Sequence, residues 1–354
     1  MKSAIKIATA LSSVLISSTA LAVTGLDRLV FSPSFLFEKG NYVELTLARA
    51  EPSVSTSFAP EANIAEDVDT LRFAYKHQFN DKFGLGLMVN TQPIGVDVNY
   101  QPIGSTLEGS ITSKSYIALG HYKATDSISA FGGLKYQTAK GYADLRALNP
   151  TVPGATNFEK DSDTGYILGA AYSIPKIALR ASLTYESDLE FDLDTTVPAL
   201  GGFSLGNTTA GTPKMLTLEF QSGIAKDTLL FGSIRKTRWA DAQVLFLGAT
   251  QLSTFDDTTD YKLGIGRKFS DSISGSISLN YQPSTGNPSS PFSPQDGEKG
   301  IAIGGKFTAK DGFTTSLGIQ YRNLGDTVTT ATSGSLPFED NDVVTVFAKF
   351  SKSF

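Results

Sequence analysis

The chain has 354 residues, a formal charge of -5 and a pI of about 5.2; charged residues make up 18%, with 33 Gly, 23 Phe, 13 Tyr and no Cys. Without cysteine there is no disulfide and no thiolate-held metal, and the acidic balance gives no basic face for nucleic acid. Beyond the N-terminus no run reaches the ~18 apolar residues of a spanning helix, so a chain this poor in charge is expected to form strands with one face in lipid and one in water.

The N-terminus reads as an address. Lys2 and Lys6 supply positive charge, Ile7 to Thr19 is an apolar stretch broken by Ser and Thr, and Ala20-Leu21-Ala22 has the small-x-small form of a cleavage site. Residues 1–22 are therefore expected to be a cleaved signal peptide; the stretch is too short to span. Val23, not Cys, follows, which leaves no residue for a lipid anchor. Residues 23–40 are expected to be a short hatch or lead-in, and 41–354 a barrel.

After residue 40 the pattern settles into period two. Ile177, Leu179, Ala181, Leu183 and Tyr185 alternate with Ala178, Arg180, Ser182, Thr184 and Glu186. Leu216, Leu218 and Phe220 alternate with Thr217, Glu219 and Gln221, and Val344, Val346, Ala348 and Phe350 with Thr345, Phe347, Lys349 and Ser351. Successive side chains on opposite sides mean β-strand.

Short polar bends fall at Asn80-Asp81-Lys82, Thr125-Asp126-Ser127, Ile174-Pro175-Lys176, Lys226-Asp227-Thr228, Ser270-Asp271-Ser272 and Lys310-Asp311-Gly312. Between them lie longer stretches rich in Pro, Gly, Ser and Thr, at 50–67, 101–110, 141–162, 192–212, 241–258, 283–297 and 325–341. That rhythm predicts about fourteen antiparallel strands in an all-β, up-and-down transmembrane β-barrel of the outer-membrane kind. Short turns would face the periplasm and long loops the outside. A soluble sandwich would place turn signals every 8–12 residues. Phe354 closes the last strand on its lipid-facing parity, a feature expected to engage the barrel-assembly machinery.

Several segments resemble the FadL-type outer-membrane transporters of long-chain fatty acids and hydrocarbons. Thr212-Pro213-Lys214-Met215-Leu216-Thr217-Leu218-Glu219-Phe220, running on to Thr237-Arg238-Trp239-Ala240-Asp241, is similar to a family hairpin with a Pro-led strand and a Trp at the far end. Gly165-Tyr166-Ile167-Leu168-Gly169-Ala170-Ala171-Tyr172 to Leu183-Thr184-Tyr185-Glu186-Ser187 looks like the preceding hairpin. Phe83-Gly84-Leu85-Gly86-Leu87, followed by Asn90 to Tyr100, looks like the family's third strand. The resemblance covers about Phe31 to Phe354. It implies a fourteen-stranded barrel with a hatch in the lumen, capture of a hydrophobic molecule from outside, and sideways release at a kinked third strand. The chain departs from the family in its short N-terminal segment, which has Ser32-Pro33-Ser34-Phe35-Leu36 in place of an Asn-Pro-Ala element.

The residues suggest a path. Leu29, Phe31, Pro33, Phe35 and Phe37 are expected either to plug or line the lumen or to pack beneath the barrel. Pro93 and Gly95 interrupt strand three, as Pro removes a ladder donor and Gly permits a bulge; they form a lateral gate or simply end the strand, with Gln101-Pro102-Ile103-Gly104 as a second break. By parity the lumen carries Arg72, Lys76, Arg180, Glu219, Arg235 and Arg322, with Glu44, Glu186, Lys262, Lys306 and Lys349, because Arg or Lys in mid-bilayer would cost up to ~2–4 kcal/mol. These charges pair with one another or meet an anionic head group. Tyr185, Trp239, Tyr281 and Tyr321 read as an interface girdle.

Catalytic signatures are missing. His77 and His121 read as interfacial residues near strand ends, no Ser–His constellation forms, and no HExxH or Gly-x-Ser-x-Gly occurs. Glu339-Asp340-Asn341-Asp342, Asp256-Asp257 and Asp161 with Asp163 read as solvated loop tips, not metal sites. The expectation is no enzyme and no cofactor. The chain is read as a channel for hydrophobic molecules in a Gram-negative outer membrane, in contact with its lipid; a general porin for small polar or anionic solutes is the alternative.

Overall fold

The computed structural model describes residues 26–152, 154–331 and 334–354. The expected signal peptide at 1–22 and residues 23–25 lie outside them. Fourteen strands form one closed antiparallel barrel. They are β1 (Tyr42–Ser53), β2 (Val68–Gln78), β3 (Phe83–Thr91, resumed at Val96–Asn99), β4 (Glu108–Lys123), β5 (Ile128–Asp144), β6 (Thr156–Ile174) and β7 (Leu179–Glu186, resumed at Leu189–Val197). Then follow β8 (Phe203–Thr212, resumed at Met215–Ala225), β9 (Thr228–Thr237), β10 (Thr258–Lys268), β11 (Ile273–Gln282), β12 (Glu298–Thr308), β13 (Thr314–Leu324) and β14 (Asp342–Ser353).

Closure comes from β1 against β14, in register from Tyr42 opposite Ser353 to Ser53 opposite Asp342. Asn41 and Phe354 extend that ladder by exchanging backbone hydrogen bonds of 2.9 and 3.0 Å. The short turns work as Asx and Ser/Thr turns. Asn80 Oδ1 accepts the Lys82 and Phe83 N–H groups, Thr125 Oγ1 those of Ser127 and Ile128, and Ser270 Oγ those of Ser272 and Ile273. All six expected short turns sit at one end, and the long connections at the other.

Two of the long stretches are shorter than their sequence suggests. In 192–212 the chain is strand, with only 198–202 between β7 and β8, and in 141–162 only 145–155 lies between β5 and β6. Thr- and Gly-rich sequence resembles loop, yet above the apolar belt a strand has no need of large side chains.

Outward-facing positions are bare and apolar. Leu47, Phe73, Leu168, Leu263, Leu279, Ile303 and Leu317 are 41%, 41%, 53%, 53%, 60%, 53% and 58% exposed. An unbroken apolar face of that kind fits a surface meant for lipid. Tyr166 with Tyr185 and Tyr261 with Tyr281 pair along its long-loop edge, ring centroids 5.9 and 6.4 Å apart. Trp239 is not among them. It is 1% exposed and packs beside Phe255, centroids 5.4 Å apart, because the short 3-10 turn Trp239–Asp241 folds it inward over the barrel mouth.

Candidate substrate path through the barrel

The inward face is built in three layers. Nearest the short turns, an N-terminal strap enters the lumen. Ser32 caps a 3-10 helix at Pro33–Phe37, which buries Pro33, Phe35 and Leu36. Phe31, Phe35 and Leu36 cluster with Ala74, Met88, Ile117, Leu119, Phe131 and Ile167 from the wall, and Phe37 packs against this cluster. Gly86 makes room: a Cβ there would lie 2.4 Å from Leu36 Cδ2 and 2.8 Å from the Phe35 ring. Of the two placements open for this segment, the lumen is the one adopted. Leu29 is 7% exposed at its upper end.

The middle layer is charged, and much of it grips the strap. Arg235 holds Asp27 at 3.1 Å and Asp260 at 3.3 Å, and Gln282 donates to Asp260 at 2.7 Å. Arg28 meets Asp97 at 2.8 Å. Arg72 donates to the Val30 carbonyl at 2.7 Å and to Asn90 Oδ1 at 2.9 Å. Lys76 donates to the Glu38 carbonyl. Arg180 lies 4.6 Å above the Phe37 ring, a cation–π placement. Other charges pair across strands: Lys135 with Glu186, Lys349 with Glu44, and Arg322 with Glu298 at 3.0 Å. Glu44, Arg72, Lys76, Glu186, Arg235, Lys306, Arg322 and Lys349 are all buried. Asp27, Arg28 and Asp97 were missed as partners because their roles depend on where the strap docks.

The upper layer is apolar. Leu26 of the strap joins Ile94, Val96 and Val98 of β3, Phe158, Leu189, Phe191 and Leu193 of β6 and β7, and residues of the long connections including Tyr100, Leu145, Trp239, Phe255 and Phe338. The loops thus fold over the mouth as a core. Tyr100 anchors one of them by donating to the Pro291 carbonyl at 2.7 Å.

Pro93 and Gly95 lie at a true interruption. Thr91 faces Lys114 and Val96 faces Ile111, so four residues of β3 oppose two of β4. Gln92 adopts φ +54° to make the bend. The β2–β3 ladder stops at Arg72 opposite Asn90, and above it Thr91 Oγ1 accepts the Leu71 N–H. The strap takes the vacated hydrogen bonds. Arg28 and Leu29 N–H donate to the Pro93 carbonyl, and Gly95 N–H donates to the Leu26 carbonyl at 2.8 Å. Gly95 has no room for a side chain, since a Cβ would sit 2.5 Å from Arg28 Nη1. The second break, Gln101–Ile103, is a 3-10 turn that ends the strand.

Two smaller expectations change. His121 is not interfacial; it is 9% exposed and faces the lumen, with its ring 5.5 Å from Phe37. His77 lies at the strand end near the turn, as expected, and stacks with Tyr75. Asp161 and Asp163 are not loop tips but lie inside β6. Among the described residues no group of His, Cys, Asp or Glu is arranged to hold a metal ion.

No family model matches the chain, and no curated protein matches it. Solved structures do. A FadL homologue of Pseudomonas aeruginosa superposes with TM-score 0.74 at 11% identity over 91% of this chain and 92% of that one. The Pseudomonas putida toluene transporter TodX gives 0.62 at 16% identity over 89% and 90%. The Ralstonia pickettii toluene transporter TbuX gives 0.60 at 13% identity over 94% and 96%. At such identities the likeness establishes the fold: this chain has the barrel fold of the FadL and toluene-transporter structures.

Proposed function

We propose that this chain is a Gram-negative outer-membrane channel that passes hydrophobic small molecules inward by diffusion. The observation that carries the reading is an apolar core beneath the long loops that abuts a strap docked on an interrupted strand. A molecule held among Leu26, Ile94, Val98 and Phe191 is one segment away from the β2–β3 break. Withdrawal of the strap from Pro93 and Gly95 opens that break sideways to the membrane. Leu29, Phe31, Pro33, Phe35 and Phe37 then serve as the movable plug, and Arg72, Lys76, Arg180, Glu219 and Arg235 as its seat. Arg322, paired with Glu298, braces the upper wall. The likeness in fold to toluene transporters and a FadL homologue supports fatty acids or hydrocarbons as the solute class. The path needs no cofactor and no catalytic group.

Phe354, at the open end of the closing strand, is the residue offered to the barrel-assembly machinery. The porin alternative draws on the charged lumen, but those charges are committed to the strap and to each other, and the mouth is filled by apolar loops.

The test is uptake of radiolabelled oleate and toluene by cells lacking their own transporters, with and without this gene. Gain of either supports the channel; gain of neither, with the barrel inserted, removes it.

A further inference from the structure

The wall is broken in a second place. β6 and β7 pair from Ile174 opposite Leu179 up to Ile167 opposite Glu186, and again at Phe158 opposite Thr195 and Asn157 opposite Thr196. Above the Ser187 N–H, which donates to the Tyr166 carbonyl at 3.0 Å, the backbone ladder is missing over 159–165 and 188–194. The cause is a mismatch of phase. On β7, Glu186 and Leu189 both face inward, so Ser187 and Asp188 shift the alternation. On β6 the matching shift comes later, where the register with β5 slips between Ala139 opposite Asp161 and Gly141 opposite Phe158. In the interval, inward-leaning Asp163 stands beside outward Glu190. Antiparallel pairing needs opposite residues on the same face, so these strands cannot close.

Side chains bridge the seam instead. Asp163 Oδ2 accepts the Glu190 N–H at 2.9 Å, and Asp161 Oδ2 accepts the Asp192 N–H at 2.8 Å. Ser187 Oγ accepts the Tyr166 N–H at 2.9 Å below them. Behind the seam stand Phe158, Leu189, Phe191 and Leu193, 6%, 3%, 0% and 2% exposed, which belong to the apolar upper layer of the lumen. In front of it, Tyr166 and Tyr185 mark the upper edge of the lipid-facing belt.

We propose that the β6–β7 seam is a second side gate, latched by Asp161 and Asp163, through which uncharged hydrophobic molecules pass from the outer-leaflet interface in among the apolar side chains of the upper layer. The loops fill the axial mouth, whereas here the middle of the seam is held by side chains, Asp161 and Asp163, in place of a backbone ladder, with Thr196 Oγ1 donating to Glu159 Oε1 at 3.1 Å above them. Side chains rotate about single bonds, so this latch opens without unzipping strand from strand. The side chains behind it are apolar and favour an apolar solute. Glu159, Asp188, Glu190, Asp192 and Asp194 on the rim, against Lys160 and Lys214, disfavour an anionic one. What passes rests on the transport reading; the latch is a property of the wall and is measured separately.

The chain has no cysteine, so Leu189→Cys is a unique reporter behind the seam. A membrane-impermeant maleimide is added to cells from outside. Asp161→Ala with Asp163→Ala is expected to speed labelling of that cysteine at least ~10-fold, while Asp161→Asn with Asp163→Asn, which keeps an acceptor oxygen, stays near the parent rate. The Ala variant is also expected to raise toluene uptake severalfold and decanoate uptake less. Unchanged labelling in the Ala variant overturns the gate. Should that variant fail to assemble, hydrogen exchange on the unaltered protein decides: the Glu190 and Asp192 amides are expected to exchange at least ~10-fold faster than those of Ala181 and Leu183, and equal protection overturns the gate. Uptake of neither solute by the parent sinks the transport reading, and labelling alone then decides the latch.

Discussion

Arg235 joins parts of the chain that lie far apart in sequence. It projects from β9 and meets Asp27 of the strap and Asp260 of β10, all well inside the barrel. Three charges taken from water hold together only as a set, and removing one partner leaves the others unpaired at a typical cost of about 3–5 kcal/mol. Arg235→Met is therefore expected to loosen the strap, with labelling of a Leu29→Cys reporter rising ~100-fold or more. Asp27→Asn in the same chain is expected to recover part of that protection, because only Asp260 is then left without its partner. Gly86 tests the lower layer. A Val there drives two methyl groups into Phe35 and Leu36, and overpacking of this kind typically costs about 1–3 kcal/mol. The strap is expected to lift while the barrel stays intact, seen as faster Leu29→Cys labelling with unchanged heat-modifiable gel migration. Single residues also mark the limit of reading from sequence. The lumen charges were legible, since period two and the cost of a charge in lipid assign each one a side. Trp239 and His121 were not, because one depends on how a loop folds back and the other on a strap that supplies Phe37 as its neighbour.

At the scale of elements, strand three shows why an interruption is more than a stop. The Pro93–Gly95 break was visible in the sequence, but a gate and a strand end predict the same residues. The resumption of pairing at Val96 rules out the strand end, and the strap fills the gap. If the β2–β3 break releases solute, tying it shut must block transport. Leu71 and Thr91 already meet across it, backbone N–H to hydroxyl at 2.8 Å. Leu71→Cys with Thr91→Cys is expected to cut uptake at least ~10-fold when oxidised and to restore it under reductant. Uptake that ignores the redox state would move the exit elsewhere. The β6–β7 seam, by contrast, could not be read from sequence at all. Its signal is a phase difference between two strands, and that needs the register of both. Asp161 and Asp163 looked like solvated acids because the stretch around them lacks the large apolar residues that mark a membrane strand.

Whether the barrel conducts depends on how its lumen is sealed from end to end. Strand count, termini and the short-turn end were legible because period two and Asx chemistry are local. The sealing of the lumen was not, since it joins a strap near residue 30 to loops near residues 100, 240, 255 and 338. That sealing separates the two functional readings. A porin has a standing aqueous path, and its inward charges face water. Here the strap's aromatic cluster, the ion pairs of Asp27 and Arg28, and the apolar loop core occupy successive levels of the lumen. The intact protein is therefore expected to show no steady open current in planar bilayers. Deleting residues 26–38 removes the strap from the lower and middle levels together. It also leaves Arg72, Lys76, Arg180 and Arg235 without their strap partners in a lumen that must then fill with water. That deletion is expected to give openings whose current favours anions, because the strap takes Asp27 and Glu38 with it and leaves most of the basic residues behind. A steady current from the intact protein would return the porin reading to first place. A silent deletion would mean that the loop core alone closes the channel, and would shift the gating role from the strap to the long loops.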